Sequence, residues 1–132
     1  MSPSAVPPPP EGALPRRVDK PWGHEEIWAH THTYVGKLLV INAGRRLSFQ
    51  YHDQKDEWIR VLDGRLRLTL ENDAGILEDR ELAAGEGAHI AVGRRHRFEA
   101  IDTCRLIEVS TPELDDVVRL ADDFGREGTS AP

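Results

Sequence analysis

The chain has a single cysteine, Cys104. One thiol cannot close an internal disulfide, so a disulfide scaffold is excluded and a reducing cytoplasm is the expected compartment. No apolar run approaches the ~20 residues that span a bilayer, and no basic stretch leads into an apolar one near the start, so neither a membrane span nor a secretory leader is expected. Positive charge is also short: 17 Lys and Arg against 23 Asp and Glu give a net charge of −6. Such a surface does not attract a phosphate backbone, and the few Arg pairs lie scattered among acids, so nucleic acid is not an expected partner.

What is present is the composition of a globular domain, with 39 % apolar and 30 % charged residues in 132. That length suits one domain with tails. Pro7 to Pro10 stand in a row, which favours a solvated, extended conformation, so residues 1–17 are expected as a disordered tail, 18–126 as the domain and 127–132 as a second tail. Within the domain, short runs rich in Val, Ile, Leu, Thr and aromatics are broken by Gly, Asp and Asn. They predict strands at 25–29, 35–42, 46–51, 58–62, 65–71, 80–83, 88–91, 97–101 and 105–110. Asp63-Gly64 between two apolar runs can supply the positive φ angles of a two-residue hairpin turn. In 65–70 the apolar residues alternate, which turns Leu66, Leu68 and Leu70 inward and Arg65 and Arg67 to water. The segment 113–124 changes period, with Leu114, Val117, Val118, Leu120 and Ala121 spaced for one face of a short helix capped by Thr111 and Pro112. The expected fold class is therefore all-β, a sandwich or barrel with a short C-terminal helix.

Ligand-type residues cluster in one place. Gly44, Gln50, His52, Glu57 and Gly64 form the series G-x5-Q-x-H-x4-E-x6-G, and Gly85, Gly93 and His96 form G-x7-G-x2-H. Side chains two apart on a strand share a face, so Gln50 and His52 can reach one interior point. Glu57 returns to it across the turn 53–56, and His96 opens a further strand. Two imidazoles, a carboxylate and an amide oxygen suit one first-row divalent ion, with zinc the first expectation and manganese, iron or nickel the alternatives. Neutral histidines and one carboxylate leave that site with a net charge of about +1, which favours oxyanions or deprotonated hydroxyls. Lys55, Arg94 and Arg95 are the expected phosphate clamp.

Both series resemble the two motifs of the cupin superfamily, G-x5-H-x-H-x3or4-E-x6-G and G-x5-P-x-G-x2-H-x3-N. The flanking phrases Lys20-Pro21-Trp22-Gly23, Leu47-Ser48-Phe49-Gln50-Tyr51-His52 and Asp115-Asp116-Val117-Val118-Arg119 are similar to the cupin domain of type II mannose-6-phosphate isomerases. The resemblance runs from about Lys20 to Arg126 and implies a double-stranded β-helix, the jelly-roll-like cupin barrel. Gln50 stands where the general motif has histidine, which agrees with the Gln-x-His pair of those isomerases. Ala91 and Ala100 replace the usual Pro and Asn without removing a ligand. Bifunctional relatives also carry a nucleotidyltransferase domain, for which this length leaves no room.

The resemblance implies a metal-dependent aldose–ketose isomerase of the mannose 6-phosphate kind, with Glu57 as the catalytic base. A non-catalytic cupin that binds or senses a sugar or carboxylate, and an iron-dependent dioxygenase, are the alternatives. Phe49, Tyr51, Trp58 and Leu62 alternate with the inward ligands and are expected to form a homodimer interface. His24, His30, His32 and His89 lack the motif spacing and are read as structural. Cys104 has no basic partner beyond Arg105, so reactive-thiol chemistry is not expected.

Overall fold

A computed structural model describes residues 14–129. Residues 1–13 of the first expected tail and 130–132 of the second lie outside the described residues. The described residues form strands and no helix: β1 Arg16–Lys20, β2 Gly23–His30, β3 Val35–Ile41, β4 Phe49–Tyr51, β5 Glu57–Asp63, β6 Leu66–Glu71, β7 Leu77–Leu82, β8 Gly87–Ile90, β9 His96–Ala100, β10 Cys104–Ser110, β11 Val118–Ala121 and β12 Gly128–Thr129. They assemble into two antiparallel six-stranded sheets, ordered β1-β2-β3-β10-β5-β8 and β12-β11-β4-β9-β6-β7.

Alternation along the strands fills the space between the sheets. From the first sheet come Leu39, Ile41, Ile59, Val61, Ile90 and Leu106, and from the second Leu66, Leu68, Leu82 and Phe98, in one buried cluster. Each such side chain stabilises the fold by roughly 1.5–3 kcal/mol relative to exposure. Leu66 and Leu68 are fully buried, and Leu70 packs partly buried against the cluster, as its alternation predicts. Gly64 turns the chain at φ 82°, where a Cβ would meet the Thr103 carbonyl at 2.3 Å. Only glycine fits such a place. The turn is not the expected hairpin: β5 and β6 lie in different sheets and do not pair, so it carries the chain from one sheet to the other.

Three further sequence expectations are corrected here. The segment 113–124 is not a helix: a short turn, with the Leu114 N–H donating to the Pro112 carbonyl, leads into strand β11. β11 pairs with β4, satisfying an edge that would otherwise leave backbone groups open. Val117 and Arg119 are buried while Leu120 is exposed, a period of two that the apolar spacing alone concealed. Strand β1 begins at Arg16, inside the expected first tail, because 16–20 pairs along its whole length with β2. At the other end β12 pairs with β11, inside the expected second tail. Finally, the four aromatic and apolar residues expected to share an interface are divided. Trp58 and Leu62, 54 % and 37 % exposed, lie on β5 of the first sheet, whereas Phe49 and Tyr51 lie half-buried on β4 of the second.

Candidate metal centre

Strand register brings the ligand-type residues together. Gln50 in β4 is the cross-strand partner of His96, the first residue of β9. His52 follows two residues after Gln50 on the same face, and Glu57 opens β5. The loop between His52 and Glu57 is folded by one carboxylate. Asp116 accepts the backbone N–H groups of Asp53, Gln54 and Lys55 at 3.1, 2.6 and 2.9 Å. Burial would raise the Asp116 carboxyl, but these donors outweigh it and hold it below its ordinary value.

His52, Glu57 and His96 are buried, and their ligand atoms lie within 4.8 Å of one another, a set that can hold a metal ion. Tautomers decide the character of this cluster. His52 Nδ1 lies 2.5 Å from the Asp116 carbonyl oxygen and His96 Nδ1 lies 2.8 Å from that of Arg94. Carbonyls only accept, so each Nδ1 carries a proton and donates it, and in its neutral form each ring turns an Nε2 lone pair to the interior. Those two lone pairs meet the Glu57 carboxylate, with Oε1 at 3.2 Å from His52 Nε2 and 3.5 Å from His96 Nε2. Glu57 Oε2 and His96 Nε2 are buried without a hydrogen-bond partner. Acceptors converging with no proton among them repel, and a cation at their centre removes the conflict. The residues present fit a divalent ion.

Gln50 lies beside this group. Its Oε1 accepts from the Ser48 hydroxyl and its Nε2 sits 3.5 Å from His52 Nε2. Turning the amide over would present Oε1 to the same centre.

Two further charged groups back the cluster. Lys55, expected at the barrel mouth, is instead buried, with its Nζ donating to Glu108 Oε2 at 3.0 Å and 3.7 Å from Glu57 Oε2. Burial would lower its pKa, but Glu108 and Glu57 raise it, so it stays an ammonium. Burial likewise would raise Glu57, yet the Lys55 ammonium beside it holds it well below the usual carboxylate range. Glu108 goes the other way. Burial, then the neighbouring Glu57 charge, push it up to about 7.

A cavity opens beside the cluster, lined in part by Gln50, His52, Lys55 and Glu108. Arg94 and Arg95 do not line it, which corrects their expected role in a clamp there. Arg94 pairs with Asp73, and Arg95 donates to Glu71 at 3.2 Å and to the Gly75 carbonyl at 3.1 Å, so both fasten the β6–β7 turn. His89, expected to be structural, stacks on Trp58 and lies 2.7 Å from Asp56 Oδ1.

Sequence reasoning passed over Lys37, Glu108, Glu25 and Asp116. A signal existed for the first three: each is in phase with inward apolar residues of its own strand. Lys37 follows the parity of Val35 and Leu39, Glu108 that of Leu106, and Glu25 that of Ile27. A charge in a core phase marks a buried polar site.

The family model described as mannose-6-phosphate isomerase C-terminal matches residues 11–122. The chain belongs to that family. Among curated relatives of this mannose-6-phosphate isomerase C-terminal domain, the mannose-1-phosphate guanylyltransferase of Escherichia coli K12 is 30 % identical over 121 residues. The alignment covers 88 % of this chain and 24 % of that protein, so the chain spans about a quarter of the relative's length. Among solved structures, KdgF from a Halomonas species aligns with a TM-score of 0.66 at 21 % identity, over 74 % of this chain and 88 % of that one. Oxalate decarboxylase from Lactobacillus farciminis gives 0.70 at 18 %, over 80 % and 33 %. The fold is that of a cupin.

Proposed function

We propose that this protein is a metal-dependent aldose–ketose isomerase acting on a sugar phosphate of the mannose 6-phosphate type. The observation that carries the reading is the meeting of two imidazole lone pairs with a buried carboxylate at the edge of an open cavity. Gln50, His52, Glu57 and His96 would hold the ion, zinc first, with manganese, iron or nickel as alternatives. When bound, it supplies Lewis-acid polarisation of a sugar carbonyl and the adjacent hydroxyl.

The chain's own residues supply proton handling and orientation. Isomerisation moves a proton between neighbouring carbons, and Glu57 is the base placed to take it: its Oε2 lacks a hydrogen-bond partner and faces the Lys55 ammonium. Lys55 stabilises the carboxylate form between transfers. Asp116 and Arg94 carbonyls fix both imidazoles with Nε2 turned to the ion they would hold, which would occupy those lone pairs and leave the proton to Glu57. The family match and the guanylyltransferase relative support the sugar-phosphate class. The same reading makes the protein a cytoplasmic homodimer that docks through the first sheet, where Trp28, Trp58 and Val109 are exposed.

Protein reloaded with zinc or manganese and incubated with mannose 6-phosphate is expected to form the corresponding ketose phosphate, followed by carbon NMR. No product with any of the four metals would end the isomerase reading. Thermal stabilisation by the sugar phosphate without product would assign a binding cupin, and oxygen uptake with iron alone an oxygenase.

A further inference from the structure

The phrases Lys20-Pro21-Trp22-Gly23 and Asp115-Asp116-Val117-Val118-Arg119 lie at opposite ends of the chain, and the metal cluster uses only Asp116 from them. Both deliver a cation to the same cavity. Lys20 closes the β1–β2 hairpin opposite Gly23. That hairpin is locked on both sides: Trp22 is core, its carbonyl accepts the Asn42 N–H at 3.0 Å, and a Cβ on Gly23 would fall 2.0 Å from the Val40 carbonyl oxygen. Arg119 arrives from β11, where it is the cross-strand partner of Gln50, and its residue is buried. Lys20, Arg119, Gln50 and His52 line one space.

Cations outnumber acids among the residues that line that space. Lys20, Lys37, Arg119 and Arg126 line it with Lys55, against two lining acids, Glu25 and Glu108. Glu25 Oε1 is shared: it accepts from Lys37 Nζ at 3.3 Å and lies 4.0 Å from Lys20 Nζ, beyond a hydrogen bond. The Lys20 side chain is nevertheless only 6 % exposed. Arg126 is fastened to Asp122 at 2.8 and 3.1 Å, so it adds field to the wall rather than a mobile donor. Burial first, then the surrounding cations, pull Lys20 and Arg119 below their ordinary pKa values. Lys20, set 4.0 Å from an acid that it shares with Lys37, and Arg119, which lines the same space with Asp122 nearby, are groups that an oxyanion entering the cavity can bridge.

We propose that Lys20 and Arg119 form the anion subsite of this cavity and bind the phosphate of the ligand whose other end reaches His52, Glu57 and His96. A phosphate dianion suits them because its several terminal oxygens can take donors from two separate walls, where a carboxylate offers one planar edge. The assignment rests on the sugar-phosphate reading above and places its recognition away from Arg94 and Arg95.

The test uses the zinc-loaded full chain and inorganic phosphate as the probe, with binding measured by calorimetry and zinc content as the check on folding. Lys20→Met and Arg119→Met are each expected to weaken phosphate binding by about 10-fold while retaining zinc. Glu25→Gln releases Lys20 and Lys37 and is expected to tighten it, a gain that general damage to the fold would not give. Absence of phosphate binding in the native protein, unchanged binding in both Met variants, or loss of binding in Arg94→Ala would overturn the subsite. Phosphate binding that responds as expected without turnover of mannose 6-phosphate keeps the subsite and retires the isomerase. Turnover with an unchanged KM in Lys20→Met does the reverse.

Discussion

Strands β3, β5, β9 and β10 each contribute to both ends of the barrel interior, and the two ends differ in kind. Along β3 the inward side chains run from Ile41 and Leu39 to Lys37. Along β5 they run from Val61 and Ile59 to Glu57, along β9 from Ala100 and Phe98 to His96, and along β10 from Cys104 and Leu106 to Glu108. Cross-strand register aligns the change, with Leu39 opposite Leu106 and Lys37 opposite Glu108. One end therefore buries apolar area and holds the sheets together. The other end buries charge, which costs stability unless each group is paired, and the pairing there is incomplete around His96 and Glu57. The apolar end is what allows the polar end to exist, since an isolated half-barrel could not supply the free energy to desolvate those charges.

The largest expected effect separates the two ends. His96→Ala should abolish stoichiometric zinc binding, a loss beyond the ~10–100-fold typical of removing an outer partner, as measured by competition with a chromogenic chelator. Leu106→Ala tests the other end. It should cost ~2–5 kcal/mol in urea unfolding because a fully buried side chain leaves a cavity, while zinc bound per folded molecule stays the same. A parallel loss of zinc affinity in Leu106→Ala would mean that the ends are one unit and the comparison fails.

Asp116→Asn probes the link between them at an intermediate scale. It should weaken zinc binding by ~10–100-fold through the loosened 53–55 loop, read by the same chelator competition. The pH dependence has a definite sign. The folded pKa of Asp116 lies below its unfolded value, so its stabilisation is fully present above the unfolded carboxylate pKa. It is lost as pH falls through the folded one. The stability difference between native protein and Asp116→Asn, followed by urea unfolding from neutral to acid pH, should shrink in that window; a difference that grows on acidification would refute the role.

The smallest effect concerns the apolar end alone. Burial, then the nearby Asp63 charge, push the Cys104 thiol up to about 11, so alkylation of native protein near pH 8 should be slow and should accelerate on unfolding. Rapid labelling of the folded chain would show that this end opens readily.

Much of the cluster was legible because metal ligands obey short spacings. Gln50 and His52 share a strand face, Glu57 is one loop away, and residue type carries the rest. The turn at Asp63-Gly64 was equally local, but the partner of the strand that follows was not, and β6 joins the opposite sheet instead of pairing with β5. What escaped was whatever depends on distant partners. Residues 113–124 carry a spacing compatible with a helix, and only the open edge of β4 decides that 118–121 extend. Lys55 reads as part of a phosphate clamp until Glu108, 53 positions away in sequence, is found 3.0 Å from its ammonium. Arg94 and Arg95 read as free cations until the acids of the β6–β7 turn claim them.

By itself, the sequence determined the all-β class, the inward phase of most strands and the kinds of atom able to meet an ion, since strand parity and donor chemistry are local properties. The tertiary structure alone decided which charges are buried, which of them are paired, and which wall of the cavity is left cationic. Those are sums over neighbours brought from β1, β3, β10 and β11, and electrostatic energy in a poorly solvated interior depends on distance in space rather than on separation along the chain.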